Sequence, residues 1–264
     1  MLRSWKLQWL INEFITFPNY KKHFIELNSS WRYWWLLLTK LVNKVNPAPA
    51  LLSLKKGGKF YVHDFMTLYI YTEIFVDKCY ELGMKLEEDG TIIDVGGNIG
   101  LFTLWMKQQY PDMTVYSFEP FKQNYDQLVS NLLLSKVKHV NPIMRGVGGH
   151  TRIEKLYLNP KNLGGHSIYK QDDNNESVDI DIVSLDEVLA ALGPKTCSLL
   201  KLDCEGAEYE IIKSMTAETA KKIKRIIFEP SEKLYNPAEL ISHLVKIGYT
   251  MKRSTDNYIA AYED

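Results

Sequence analysis

The segment Thr91-Ile92-Ile93-Asp94-Val95-Gly96-Gly97-Asn98-Ile99-Gly100-Leu101-Phe102 constrains the fold more than any other part of this chain. An apolar run that ends in an acid, crosses a glycine turn and opens a second apolar run reads as a buried strand, a tight loop and a helix. Glycines let the backbone turn and approach a ligand with no Cβ in the way, and the helix that follows presents free N–H groups. That order is the signature of α/β sheets that hold nucleotide-like ligands at the carboxyl ends of their strands. The dinucleotide spacing G-x-G-x-x-G is not met, because with Gly97 and Gly100 as its second and third glycines the first falls on Val95.

Two later segments repeat the pattern. Thr114-Val115-Tyr116-Ser117-Phe118 is β-rich and ends on Glu119-Pro120, which places Glu119 19 positions beyond Gly100. A carboxylate about 20 residues after the glycine turn can accept both hydroxyls of a ribose; taken alone, a solvated strand-end glutamate is the alternative. Ser198-Leu199-Leu200-Lys201-Leu202 is a third buried-type strand, and it delivers Asp203 and Glu205 at its end. Leu101, Leu104 and Trp105, then Tyr125, Leu128, Val129 and Leu132, have helical spacing between these strands. A further strand near His139 to Met144 runs into Arg145-Gly146-Val147-Gly148-Gly149. The alternation predicts an α/β fold with a mostly parallel, doubly wound sheet. The tail predicts a helix and a closing antiparallel hairpin, Tyr249 to Lys252 and Tyr258 to Tyr262.

Thirty-two basic and thirty-two acidic residues give no net charge, so no global field draws in nucleic acid or anionic lipid. The 264 residues, 45% of them hydrophobic, are enough for one catalytic domain with an appendage. Cysteines 79, 197 and 204 lack metal-ligand spacing and suggest a reducing, cytoplasmic setting. Residues 1–56 read as an aromatic-rich helical extension ahead of a main domain at 57–264. Ser29 or Ser30 can cap a helix through Trp31, Tyr33, Trp34, Trp35, Leu36 and Leu41, which closes before Asn46-Pro47-Ala48-Pro49. It is short for a membrane span, which needs about 20 apolar residues. Two roles stay open for it: packing on the main domain or a second subunit, as in a homo-oligomer, and peripheral membrane anchoring.

Three motifs, DVGGNIG at 94–100, FEP at 118–120 followed by Leu128 and Asn131, and KLDCEGAE at 201–208, together resemble the FkbM family of Rossmann-like class I methyltransferases. The resemblance runs from roughly Phe60 to Phe228. It takes in Gly164-Gly165-His166-Ser167 and Asp181-Ile182-Val183-Ser184-Leu185-Asp186, and omits the first fifty or so residues. It implies S-adenosylmethionine as cofactor, held by Asp94, Gly96, Gly97, Asn98, Gly100, Glu119, Pro120, Gly146 and Asp203, with the adenine against the backbone at Gly146. The double glycine at 148–149 departs from the polar or acidic turn usual there. The resemblance further implies methyl transfer to a hydroxyl of a sugar, glycan or secondary metabolite, with Tyr61, Ser167 and Glu208 among the acceptor contacts.

Methyl transfer to a hydroxyl is an in-line displacement that also removes a proton. Asp203 and Glu205, at the expected strand end, are the candidate carboxylate bases, against the alternatives that Asp203 caps a turn and Glu205 pairs with Lys201 or Arg225. His166 is the candidate imidazole base. Glu229 ends a later strand, and contact with substrate and a buried structural role both stay open for it. Sulfonium chemistry needs no metal; the alternative is a divalent cation on Glu205, Glu208 and His166, since residues three apart share a helix face. Rival functions are an RNA or protein methyltransferase, disfavoured by the missing basic surface and amine-type motif, and a catalytically silent scaffold that docks partners through its Trp-rich start.

Overall fold

The computed structural model describes residues 26–28, 33, 35, 36, 49–83, 85–87, 90–159, 165–170, 176–193, 195–254 and 257–262. Most of the amino-terminal segment for which the sequence predicts a helical extension lies outside them. Strand β1 (Ala50–Ser53) forms a hairpin with β2 (Lys59–Val62), so the 56/57 boundary falls inside its turn. Leu27, Tyr33 and Leu36 are buried in the same core as this hairpin, whereas Trp35 is exposed. Helix α1 (Phe65–Tyr71) is capped by Asp64, whose side chain accepts from the Thr67 N–H, and it widens into a π-helical turn at Thr72–Val76.

The centre is a seven-stranded sheet. Its parallel strands are β3 (Thr91–Val95), β4 (Thr114–Phe118), β5 (Val140–Ile143), β9 (Cys197–Leu202) and β10 (Arg225–Phe228). The hairpin β11 (Tyr249–Arg253) and β12 (Tyr258–Tyr262) closes it, with β12 antiparallel to β10, in the order β11-β12-β10-β9-β3-β4-β5. Helices α2 (Leu101–Gln109), α3 (Lys122–Ser135), α4 (Leu185–Ala191), α5 (Glu208–Ser214), α6 (Ala217–Lys221) and α7 (Pro237–Lys246) complete the α/β architecture. The strands read as continuous apolar runs because both faces are covered. Ile92, Leu199 and Ile227 pack into one core, while Ile93, Leu200 and Ile226 pack into the other.

One element departs from the simple alternation. The segment after β5 does not end in a turn; β6 (Gly146–Gly148) leaves the main sheet and pairs with β8 (Ser177–Ser184), itself antiparallel to β7 (Arg152–Tyr157). Glycine is required at 148, where a Cβ would run into the Glu210 carboxylate and Ile182. Arg152, hydrogen-bonded to both Glu210 oxygens at 3.0 Å, ties this small sheet to α5. Among the described residues no helix is long and apolar enough to cross a membrane.

Candidate functional site

Four adjacent parallel strands deliver acids to one edge. The order β10-β9-β3-β4 brings Glu229, Asp203, the glycine turn after Asp94 and Glu119 side by side, where carboxyl-end crevices bind ligands. The Glu229 N–H donates to the Leu202 carbonyl at 3.0 Å and the Asp203 N–H to the Val95 carbonyl at 3.2 Å, which locks these ends together. Gly96 has φ +79°, and a Cβ there would collide with the Asp203 carbonyl oxygen. The turn therefore comes as close to the β9 end as backbone allows.

A cleft opens over this edge, lined by Gly96, Asn98, Glu119, Pro120, Gly146, His166, Asp203 and Glu205, with Phe118, Val147, Leu156, Ile168, Ile180 and Ile182 as an apolar wall. The structure thus brings together most of the residues named from sequence. Gly97 and Gly100 shape the turn and do not line the cleft. Asp94 is fully buried behind the turn, where its Oδ2 accepts from Thr103 and Ser117, both at 2.9 Å. Its Oδ1 lies 3.2 Å from the Lys201 ammonium without hydrogen-bond geometry, so charge holds that pair. Tyr61 lines a separate cleft of about 770 Å³ with His63, Thr67 and Gln127, which adjoins the first only through Asn98 and Asn124.

Glu119 is buried, with Oε2 accepting from the Asn98 N–H and Oε1 from the Phe121 N–H, each at 2.9 Å. Each oxygen keeps a lone pair for a further donor, such as a hydroxyl. Burial pushes its carboxyl up to about 7, against the pull of those two N–H groups.

Lys201 bridges Asp94 and Asp203, 3.4 Å from the latter, and donates to the Gly96 carbonyl at 2.7 Å. In sequence this lysine stands out only as a possible partner for Glu205. The signal was a lysine inside an apolar strand, which must find acids if it is to be buried. Asp203 also accepts from the Tyr80 hydroxyl at 2.6 Å.

Glu205 takes a left-handed backbone, φ 53°, costly for a residue with a Cβ and common at functional sites. Glu208 maintains this turn: it is buried and accepts from the N–H groups of Cys204 at 2.6 Å and Gly206 at 2.8 Å. Ser167 donates to the Glu205 carbonyl at 2.6 Å and is likewise buried. Ser167 and Glu208, expected as acceptor contacts, therefore position Glu205 from behind. Two members of the alternative cation set, Glu208 and His166, have protein partners. Glu208 is spent on backbone, His166 Nδ1 on the Asn159 N–H at 3.0 Å, and no metal-holding cluster of three such side chains exists among the described residues.

Burial first, then the charges of Asp203 and Glu208, push Glu205 up to about 7. Asp203's charge first, then burial, pushes Glu229 up to about 8. These shifts predict the pH response of the ligand-free protein. Glu119 and Glu205 ordinarily titrate at 4.5, so between there and about 7 the folded chain holds protons that the unfolded chain has released. Stability falls as pH rises through that window and stays low above it. His166, whose ionisation burial lowers, acts in the opposite direction below its ordinary 6.5. The expected result is a melting temperature several degrees lower at pH 8 than at pH 6, with Glu119 contributing at most about 1.4 kcal/mol over that interval. A flat or rising profile over that range would remove the buried-carboxylate reading.

Comparison with known proteins gives the family of the chain. A family model described as the methyltransferase FkbM domain matches residues 94–251. Methyltransferase 1 of Beauveria bassiana is 31% identical over 180 residues, 61% of this chain and 72% of that protein. The 31-O-demethyl-FK506 methyltransferase FkbM of Streptomyces tacrolimicus is 25% identical over 224 residues, 74% of this chain and 86% of that one. A crystal structure of methyltransferase FkbM from Methylobacillus flagellatus aligns with a TM-score of 0.49 at 15% identity, over 68% of this chain and 45% of its own. With a family match over more than half its length, the chain belongs to the FkbM family of methyltransferases.

Proposed function

We propose that this protein is an S-adenosylmethionine-dependent O-methyltransferase that acts on a hydroxyl of a small molecule, a sugar, glycan or secondary metabolite. The observation that carries the reading is Glu205, a cleft-lining carboxyl raised to about 7 beside a ligand cradle. A group that titrates near the working pH is suited to take a proton from an alcohol. Three features of the cleft fit the cofactor. Gly96 lets the turn lie against the Asp203 carbonyl at the cleft's edge, and the Glu119 oxygens can each accept another hydroxyl. The carboxyl groups of Asp203 and Glu205 at the cleft's edge favour a ligand that carries positive charge. Gly96, Asn98, Glu119, Gly146 and Asp203 would hold it.

When bound, S-adenosylmethionine supplies a methyl group on a positively charged sulfur, ready for displacement. This chain's own residues do the rest. Glu205 would take the proton of the acceptor hydroxyl. Tyr80 and Lys201 fix Asp203 in place beside it, and Glu208 and Ser167 fix the Glu205 loop. A relative whose name describes a 31-O-demethyl acceptor supports transfer to oxygen. The test is transfer of labelled methyl to a panel of hydroxylated small molecules, RNA and protein. Label in a small-molecule ether is expected. Label confined to RNA or protein, or none from a chain that binds the cofactor, would overturn the reading.

A further inference from the structure

The His166 ring is 9% exposed and stands edge-on to Phe121, with ring centres 4.5 Å apart. Its Nδ1 accepts the Asn159 N–H at 3.0 Å. A backbone N–H can only donate, so Nδ1 bears the lone pair and the proton of the neutral ring sits on Nε2. Burial lowers the ring's ionisation and keeps it in this neutral form. Nε2 is buried and has no partner among the described residues, although the ring lines the cleft. An unpaired buried donor costs about 1–3 kcal/mol, so a ligand that brings an acceptor to it binds more tightly.

The surroundings say what kind of acceptor. Around His166 the cleft wall is Leu156, Ile168, Ile180 and Ile182, all apolar. A slot with greasy walls and one N–H donor suits a flat heteroaromatic ring with a lone pair in its plane. The hydroxyl-accepting oxygens of Glu119 line the same cleft. We propose that His166 recognises the purine of the methyl donor, donating its Nε2–H to a ring nitrogen, rather than serving as the base. With its proton on Nε2, the ring offers the cleft a donor and no site to receive a proton. The inference rests on the cleft's being the S-adenosylmethionine site.

The test uses calorimetry with S-adenosylhomocysteine and its 1-deaza, 3-deaza and 7-deaza analogues, on the wild type and on His166→Asn. Asparagine can keep an acceptor near the Asn159 N–H while it withdraws the Nε2 donor. The expected result is about tenfold to hundredfold weaker S-adenosylhomocysteine binding by the variant. One deaza analogue is expected to be weakened similarly on the wild type and to lose nothing more on the variant. Should His166→Asn not fold, the analogue series on the wild type decides, and equal binding of all three analogues and the parent would overturn the proposal. So would a folded variant that binds S-adenosylhomocysteine within twofold of the wild type. A folded wild type that binds no S-adenosylhomocysteine would overturn the donor reading and this inference with it, a result distinct from the other two.

Discussion

Lys201→Met is expected to lower the unfolding free energy by about 3–5 kcal/mol, the largest loss of any single surface-neutral change in the site. The reason is what the lysine leaves behind. Asp94 is fully buried, and after Thr103 and Ser117 have satisfied one oxygen the other faces, among the described residues, the Lys201 ammonium 3.2 Å away. Without that charge Asp94 must stay ionised with no partner or take up a proton. The Gly96 carbonyl also loses its donor, and the rings of Tyr80 and Phe102 lose the cation 5.6 and 5.5 Å from their centres. Adding Asp94→Asn to the Met variant is expected to restore part of the stability, because it removes the orphaned charge. Urea unfolding of the three chains measures this; a loss below about 1 kcal/mol for Lys201→Met would show that the pair is not what holds the β3 and β9 ends together.

Glu205→Gln is expected to move activity and stability in opposite directions. Removing a proton acceptor from the transition state costs about 10²- to 10⁴-fold in kcat. The same change relieves a partly buried carboxylate that Asp203 and Glu208 repel, and among the described residues no hydrogen bond to its side chain is lost. The variant is therefore expected to melt about 2–4 °C above the parent at pH 8 and close to it at pH 5, where both side chains are neutral. Binding of S-adenosylhomocysteine is expected to change by no more than a few-fold. Stability bought with lost activity is the mark of a group strained for function. A variant with full kcat would pass the proton role to Glu229 or Asp203.

Much of this site was legible in the sequence, for local reasons. Period and glycine placement fix the strand, turn and helix at 91–109, and a strand-end acid such as Glu119 or Asp203 must emerge at the carboxyl edge whatever the rest of the chain does. What stayed hidden depends on contacts distant in sequence. Glu208 and Glu205 are both acids of one motif, yet one is buried under the N–H groups of its own loop and the other faces the cleft. Spacing does not separate them. Ser167 reaches the Glu205 carbonyl only because β6, β7 and β8 form a separate sheet, and the glycines at 146–149 read as a turn, not as its first strand. Which nitrogen of His166 holds the proton is settled by Asn159, a residue that no motif singles out.

The central claim is that the cleft at the β3, β4 and β9 ends holds a methyl donor. Calorimetric titration of S-adenosylhomocysteine into the wild type and into Glu119→Ala tests it most directly. One ligand per wild-type chain, with at least tenfold weaker binding once the Glu119 oxygens are gone, is the expected result. A folded wild type that gives neither heat nor a thermal shift with the ligand would contradict it.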